Sequence, residues 1–325
     1  MIFHPSTPFF ILTLLTSILM TISSNSWFIA WVAMEVNLLS FVPLMCTPLT
    51  LYKLESTMKY FLIQAIASAL IIVSIFLIPL QFILQYLFIM ALLMKMGAAP
   101  SHQWLPSIVE GLSWYLLTSL LTLQKINPLI LLSLLYSTIN NLLLFVYVFT
   151  SALIGSVGGL LHTSLRKILA FSSISHLSWL ITSIMISNWI WMLYFSVYTL
   201  ILLSITITLH KNNISSLNNL FNKNNSSIMT PLYFMSLSGL PPLTGVVPKL
   251  IVTFSAISSK SLFFLLLPLL SSTLITLFFY TRIFITPLLT NKFNKNMIIS
   301  SPLNTLFITL NISSLLIIPA APLFL

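Results

Sequence analysis

Apolar residues fill this chain in long runs that neither alternate nor keep to one helical face, and short clusters of Asn, Ser, Pro and Lys punctuate them. Runs of about 20 residues, apolar on all sides, predict helices that cross a membrane. The short alternating segments of a spanning strand barrel do not occur. Marking the polar and Pro/Gly interruptions gives eleven spans: roughly 6–23, 27–47, 57–79, 82–110, 112–131, 134–156, 164–186, 189–209, 229–257, 261–286 and 303–323. The spans at 82–110 and 229–257 are interrupted. The opening segment reads as the first span and not as a cleaved signal, because it has no Lys/Arg start and no small-x-small site. The fold expected is therefore an all-α integral membrane protein of about eleven helices, two of them discontinuous, in a single membrane domain over 1–325.

Composition narrows the class. The chain is 58% hydrophobic and 5% charged, against about 25% charged in an ordinary soluble domain. That excludes a water-soluble fold and a disordered chain alike. The net charge of +10 is no nucleic-acid signature, since its cations are mostly single and lie between apolar runs. One cysteine, Cys46, excludes an internal disulfide and a four-cysteine cluster from this chain alone. The seven glycines form no phosphate-cradling loop.

Charge placement gives an orientation. Of the ten basic residues between spans or near their ends, nine fall on the side of the N-terminus: Lys53, Lys59, Arg166, Lys167, Lys211, Lys223, Arg282, Lys292 and Lys295. Lys260 alone faces the other way. That bias places the N-terminus on the cytoplasm-equivalent side, together with the Asn/Ser-rich stretch His210–Ser227.

Ionisable groups at membrane depth are costly and mark function by default, unless they snorkel to the interface. Glu35 lies roughly 12 Å into the second span and is too short to snorkel far. Lys95 lies roughly 20 Å into the fourth, with Gly97 and Pro100 directly after it. Lys125 is followed by Pro128; an anchor at a span ending near Asn127 is the competing reading. Lys249 closes a segment in which Gly239, Pro241, Pro242, Gly245 and Pro248 rule out a regular helix while apolar residues continue on both sides. Two interrupted spans, each with a lysine, point to an ion pathway in an inverted-repeat transporter. His176, among Ser172, Ser173, Ser175 and Ser178, is either a proton carrier or a satisfied interhelical hydrogen bond. His162 and His176 have a haem-like spacing, but no second pair accompanies them. Glycines 155, 158 and 159 suggest close helix packing.

These residues and their flanks resemble the NADH–ubiquinone oxidoreductase chain 2 family, antiporter-like subunits of respiratory complex I. The resemblance runs through WVAMEVNLLSFVPLM, LLMKMGAAPSHQWLP, LTLQKINPL, LRKILAFSSISHLSW and SLSGLPPLTGVVPKL, in that order. It departs from the family's usual residues at Ser101, Gln103, His162 and Ser178. The resemblance implies an antiporter-like inverted-repeat core that translocates protons in the mitochondrial inner membrane, N-terminus on the matrix side. Glu35 would pair with Lys95, Lys125 would be the central lysine and Lys249 the terminal one, with His176 on the axis between. Separating Glu35 from Lys95 would release the lysine's proton along that axis. It implies no redox cofactor in this chain, although the whole complex uses FMN and iron–sulfur clusters with NADH and ubiquinone as substrates. Implied partners are other membrane-arm subunits (antiporter-like, small core and supernumerary) and structural phospholipids, with no nucleic acid. A free-standing cation/proton antiporter built on the same core is the alternative.

Overall fold

The computed structural model describes residues 6–47, 50–76, 81–136, 142–217, 219, 229–241, 243–259 and 262–289. Pro242, Lys223, Lys260, Lys292, Lys295 and the eleventh expected span, 303–323, lie outside the described residues. Those described are helical apart from connections and a single β-bridge between Ser164 and Ser216. Among them, seven helical stretches are long and apolar enough to cross a membrane, and shorter apolar helices accompany these. The chain divides into two compact units, Met1–Leu143 and Leu144–Leu325.

The first unit holds α1 (Thr7–Ser23), α2 (Trp27–Cys46), α3 (Leu51–Phe76), α4 (Gln81–Met96), α5 (Trp104–Val109), α6 (Trp114–Leu121) and α7 (Leu123–Leu135). Ser26 starts α2 by accepting the Ile29 N–H on its hydroxyl at 3.3 Å, as an N-cap should. Helices α1 to α4 pack in succession, and α7 lies against α1, α2 and α4. Helix α3 begins at Leu51 and not at 57, because its first turns carry charge that is solvated. Lys59 pairs with Glu55 at 2.6 Å on an exposed surface, and Lys53 Nζ donates to the Thr47 carbonyl at 3.2 Å. Helix α7 accommodates Pro128 and runs on to Leu135, beyond the expected 131.

The second unit holds α8 (Leu142–Leu161), α9 (Leu165–Ile186), α10 (Asn188–Lys211), α11 (Met229–Ser238), α12 (Val246–Ser258) and α13 (Phe263–Leu289). Helix α8 ends at Leu161 and not at 156. Helix α9 is its axis: the whole span is buried, and α10, α12 and α13 pack around it. Its hydroxyls make burial affordable. Ser172, Ser173, Ser175, Ser178, Thr182 and Ser183 each donate to the carbonyl three residues back, at 2.6–2.9 Å, so each hydroxyl finds an acceptor within its own helix. Glycine permits the closest approach, since a Cβ at Gly155 would lie 2.9 Å from Ser175 Cα. At one end of this unit, Leu165 N–H donates to Ser215 O (3.1 Å), Leu217 N–H to Thr163 O (3.1 Å), and Arg282 to His162 O (3.0 Å). This gathers the chain around Arg166, Lys167, Lys211 and Arg282, four cations that the charge pattern assigns to one side.

The Gly155–Ser175 approach has a measurable consequence. Gly155→Ala overpacks a backbone contact and should cost about 1–3 kcal/mol. Thermal unfolding of the detergent-solubilised protein should show a lower midpoint, and an unchanged one contradicts the packing described.

Candidate functional site

Among the described residues, every buried lysine (Lys95, Lys125 and Lys249) stands beside a helix interruption. Lys95, 7% exposed, is in the last turn of α4. Gly97, at φ +76°, turns the chain out of the helix through the left-handed region that glycine adopts without strain. The Gly97 N–H then donates to Met94 O (3.1 Å) and the Ala98 N–H to Leu93 O (3.0 Å), the two bonds of a Schellman end. Trp104 Nε1 adds a second donor to Met94 O at 3.1 Å, and Gln64 Nε2 reaches Lys95 O at 3.3 Å. The carbonyls that the break frees are thus met by protein, as the membrane interior demands. The Lys95 ammonium lies at the negative end of the α4 dipole. Pro100 is in the connection from α4 to α5.

The second break reaches a similar result by another route. Helix α11 ends at Ser238, Gly239 follows at φ +83°, and α12 starts at Val246. Lys249, 9% exposed, belongs to the helix that begins, not the one that ends. It reaches back to donate to Ser238 O (2.7 Å) and Leu237 O (3.3 Å), capping the negative end of α11 with a cation. A Cβ at Gly239 would lie 2.9 Å from Lys249 Cδ, and one at Gly245 would overlap the Ser236 carbonyl. Both glycines are therefore needed for the reach-back. Pro241 lies in the connection and Pro248 in the first turn of α12, where a missing N–H costs nothing.

A third interruption went unread in the sequence. Thr122, at φ −117° and ψ −77°, divides the fifth span into α6 and α7. Its N–H and its hydroxyl both bond Thr118 O, at 2.9 and 2.7 Å. Lys125 lies three residues beyond and is 1% exposed. Because the span runs from Trp114 to Leu135, Lys125 lies in its interior and not at its end.

Between Lys95 and Lys125 lies a cavity of about 20 Å³, room for about one ordered water. Asn37, Tyr60, Gln64, Gln124 and Asn127 line it. The Tyr60 hydroxyl donates to Gln124 Oε1 (3.1 Å), and Gln124 Nε2 donates to Asn37 Oδ1 (3.0 Å). Thr21 Oγ1 donates to Asn127 Oδ1 (3.2 Å), while Asn127 Nδ2 is buried with no protein partner. An orphaned buried donor in a polar cavity of this size is what a bound water satisfies. Of these residues, sequence reading noted Gln124 and Asn127 and missed Asn37, Tyr60 and Gln64. The one-turn spacing of Tyr60 and Gln64 on an otherwise apolar stretch was the available signal.

Glu35, half-buried on α2, makes no contact ion pair with Lys95, so the expected pair is looser than implied. His176, 7% exposed, finds its partner outside the flanking serines, which turn back onto their own helix. Its Nδ1 lies 2.8 Å from the Tyr194 hydroxyl. The arrangement can hold, release and re-accept protons. Glu35, Lys95 and Lys125 belong to the first unit, His176 and Lys249 to the second.

Comparison with known proteins places the chain. Residues 78–276 match the transmembrane family described as NADH:quinone oxidoreductase/Mrp antiporter. NADH-ubiquinone oxidoreductase chain 2 of Anopheles gambiae is 41% identical over 293 residues, covering 84% of this chain and 83% of that one. This chain belongs to the NADH-ubiquinone oxidoreductase chain 2 family. The counterpart from Locusta migratoria is 34% identical over 319 residues, covering 94% and 92%. The fold is shared more widely than the sequence. A chain of respiratory complex I from Thermus thermophilus superposes with a TM-score of 0.82 at 20% identity, covering 97% of this chain and 78% of that one. A chain of the Mrp complex from Dietzia sp. gives 0.76 at 15%, covering 98% and 75%. The discontinuous helices expected from the sequence are present at Gly97 and Gly239, and the antiporter-like core is that of the matching family and of these structures.

The capping of the first break can be tested directly. Gln64→Leu leaves the Lys95 carbonyl short of a donor and should cost about 1–3 kcal/mol. The thermal midpoint of the solubilised protein should fall, whereas Gln64→Glu, which also loses the donor, should fall at least as far. A midpoint unmoved by either change removes Gln64 from the cap.

Proposed function

We propose that this chain is a core membrane subunit of respiratory complex I that carries protons through its buried Glu/Lys/His groups. The observation that carries the reading is the polar cavity between Lys95 and Lys125, two lysines buried at helix breaks. A lysine held at a break has dipoles to steady its charge, and a neighbouring water gives its proton somewhere to go. Glu35, acting on Lys95 from a distance, tunes how firmly that proton is held. In this reading Glu35, Lys95 and Lys125 exchange protons in the first unit and His176 and Lys249 in the second, driven by electron transfer from NADH to ubiquinone in other subunits. FMN and iron–sulfur clusters belong to those subunits, and this chain contributes to the reductase by moving protons and not by redox chemistry.

The chain acts in the mitochondrial inner membrane beside other membrane-arm subunits and phospholipids, its N-terminus on the matrix side where the basic residues gather. Relatives that cover most of the chain and carry the chain 2 name support a complex I subunit over a free-standing antiporter.

Lys125 gives the sharpest test. In reconstituted complex carrying Lys125→Ala, proton pumping should fall by about tenfold or more, within the usual range for loss of a proton-transfer group, while NADH oxidation by an artificial acceptor stays at the wild-type rate. Lys125→Arg should also pump poorly, because a guanidinium keeps its proton. Full pumping with full turnover in either variant would take Lys125 out of the pathway.

A further inference from the structure

His176 lacks a carboxylate to orient it, because no Asp or Glu follows Glu110 in the chain. A phenol stands in that place. Tyr194, on α10 and buried, has its hydroxyl 2.8 Å from His176 Nδ1. The Tyr198 ring, one turn along, lies 5.0 Å from the imidazole. The same two tyrosines and His176 line a cavity of about 10 Å³ whose remaining wall includes Leu237, Gly245 and Pro248, residues of the second helix break. That volume is close to the minimum for one water. Leu237 is also a residue whose carbonyl accepts from Lys249 Nζ, at 3.3 Å. Imidazole and hydroxyl thus share one cavity, and the amine is joined to its wall through Leu237.

We propose that the Tyr194 hydroxyl is a proton-relay group between His176 and the Lys249 break. This rests on the reading of His176 and Lys249 as proton carriers. A phenol both donates and accepts, which suits a relay, and neutral or protonated imidazole can do so in turn. In the forward step, Nδ1 of the imidazolium gives its proton to the Tyr194 oxygen as the hydroxyl's own proton leaves for a water in the cavity. That water passes a proton to the neutral Lys249 amine. Imidazolium becomes imidazole and amine becomes ammonium, with tyrosine and water unchanged. The two carbonyls at Lys249 suit the accepting end. They take the two N–H bonds of a neutral amine, at 2.7 and 3.3 Å, and leave its lone pair to receive the proton.

The test uses the assembled complex in liposomes, with native mass and NADH oxidation by an artificial acceptor as controls for assembly. Tyr194→Phe keeps the ring and removes the hydroxyl, and pumping should fall by about tenfold or more in a complex of full mass. Tyr194→His restores a group that gives and takes protons, and should recover part of the loss, which a packing role would not. Should the Phe variant not assemble, the His variant decides alone: pumping supports the relay and its absence overturns it. A Tyr194→Phe complex that pumps fully overturns the proposal. His176→Gln then separates the causes, since lost pumping there leaves the wider axis standing and full pumping removes His176 from it as well.

Discussion

A carbonyl freed from its helix inside a bilayer has no water to turn to, and the rest of this structure is arranged around that constraint. At Gly97 the freed carbonyls are met by the chain's own next amides and by Trp104 and Gln64 from elsewhere. At Gly239 they are met by Lys249 itself. At Thr122 a hydroxyl and an amide share one carbonyl. At Gly97 and Gly239 the solution leaves a lysine at the negative end of a helix dipole, so one arrangement makes the break tolerable and gives the cation a place to reside. Charge and break are mutually dependent, and removing either one exposes the other.

The scarcity of acid explains why the two units handle their cations differently. The chain's three acidic residues, Glu35, Glu55 and Glu110, all precede residue 144. The first unit holds all three carboxylates, yet Glu35 forms no contact ion pair with Lys95. In the second unit no side-chain carboxylate exists, so Lys249 is held by carbonyls and His176 by a phenol. Neutral partners hold a charge less tightly than a carboxylate does, which keeps a proton exchangeable.

Much of this was legible in the sequence because the signals were local. A lysine followed at once by Gly97, and Lys249 behind a run of prolines and glycines, announce buried cations at breaks within a few residues. What could not be read was whatever required two helices to meet. Asn37, Tyr60 and Gln64 are scattered over α2 and α3 and become one cavity wall only when those helices pack on α4 and α7. The Thr122 interruption carries no Gly or Pro. Its hydroxyl competes for a backbone carbonyl, an effect that ordinary threonines elsewhere in the chain also show without breaking their helices. The serines around His176 drew the eye for the same reason: their hydroxyls donate to their own helix, while Tyr194, a partner of the imidazole, comes from the next one.

The central claim is that the gap between Lys95 and Lys125 is a wet, proton-conducting space and not a packing defect. A map of the assembled complex, at a resolution that shows ordered solvent, tests it most directly. The account predicts a water in the cavity within hydrogen-bond distance of Asn127 Nδ2, the buried donor with no protein partner, and connected to the Lys125 amine. A dry cavity, or one closed by an apolar side chain or a lipid tail, would contradict it.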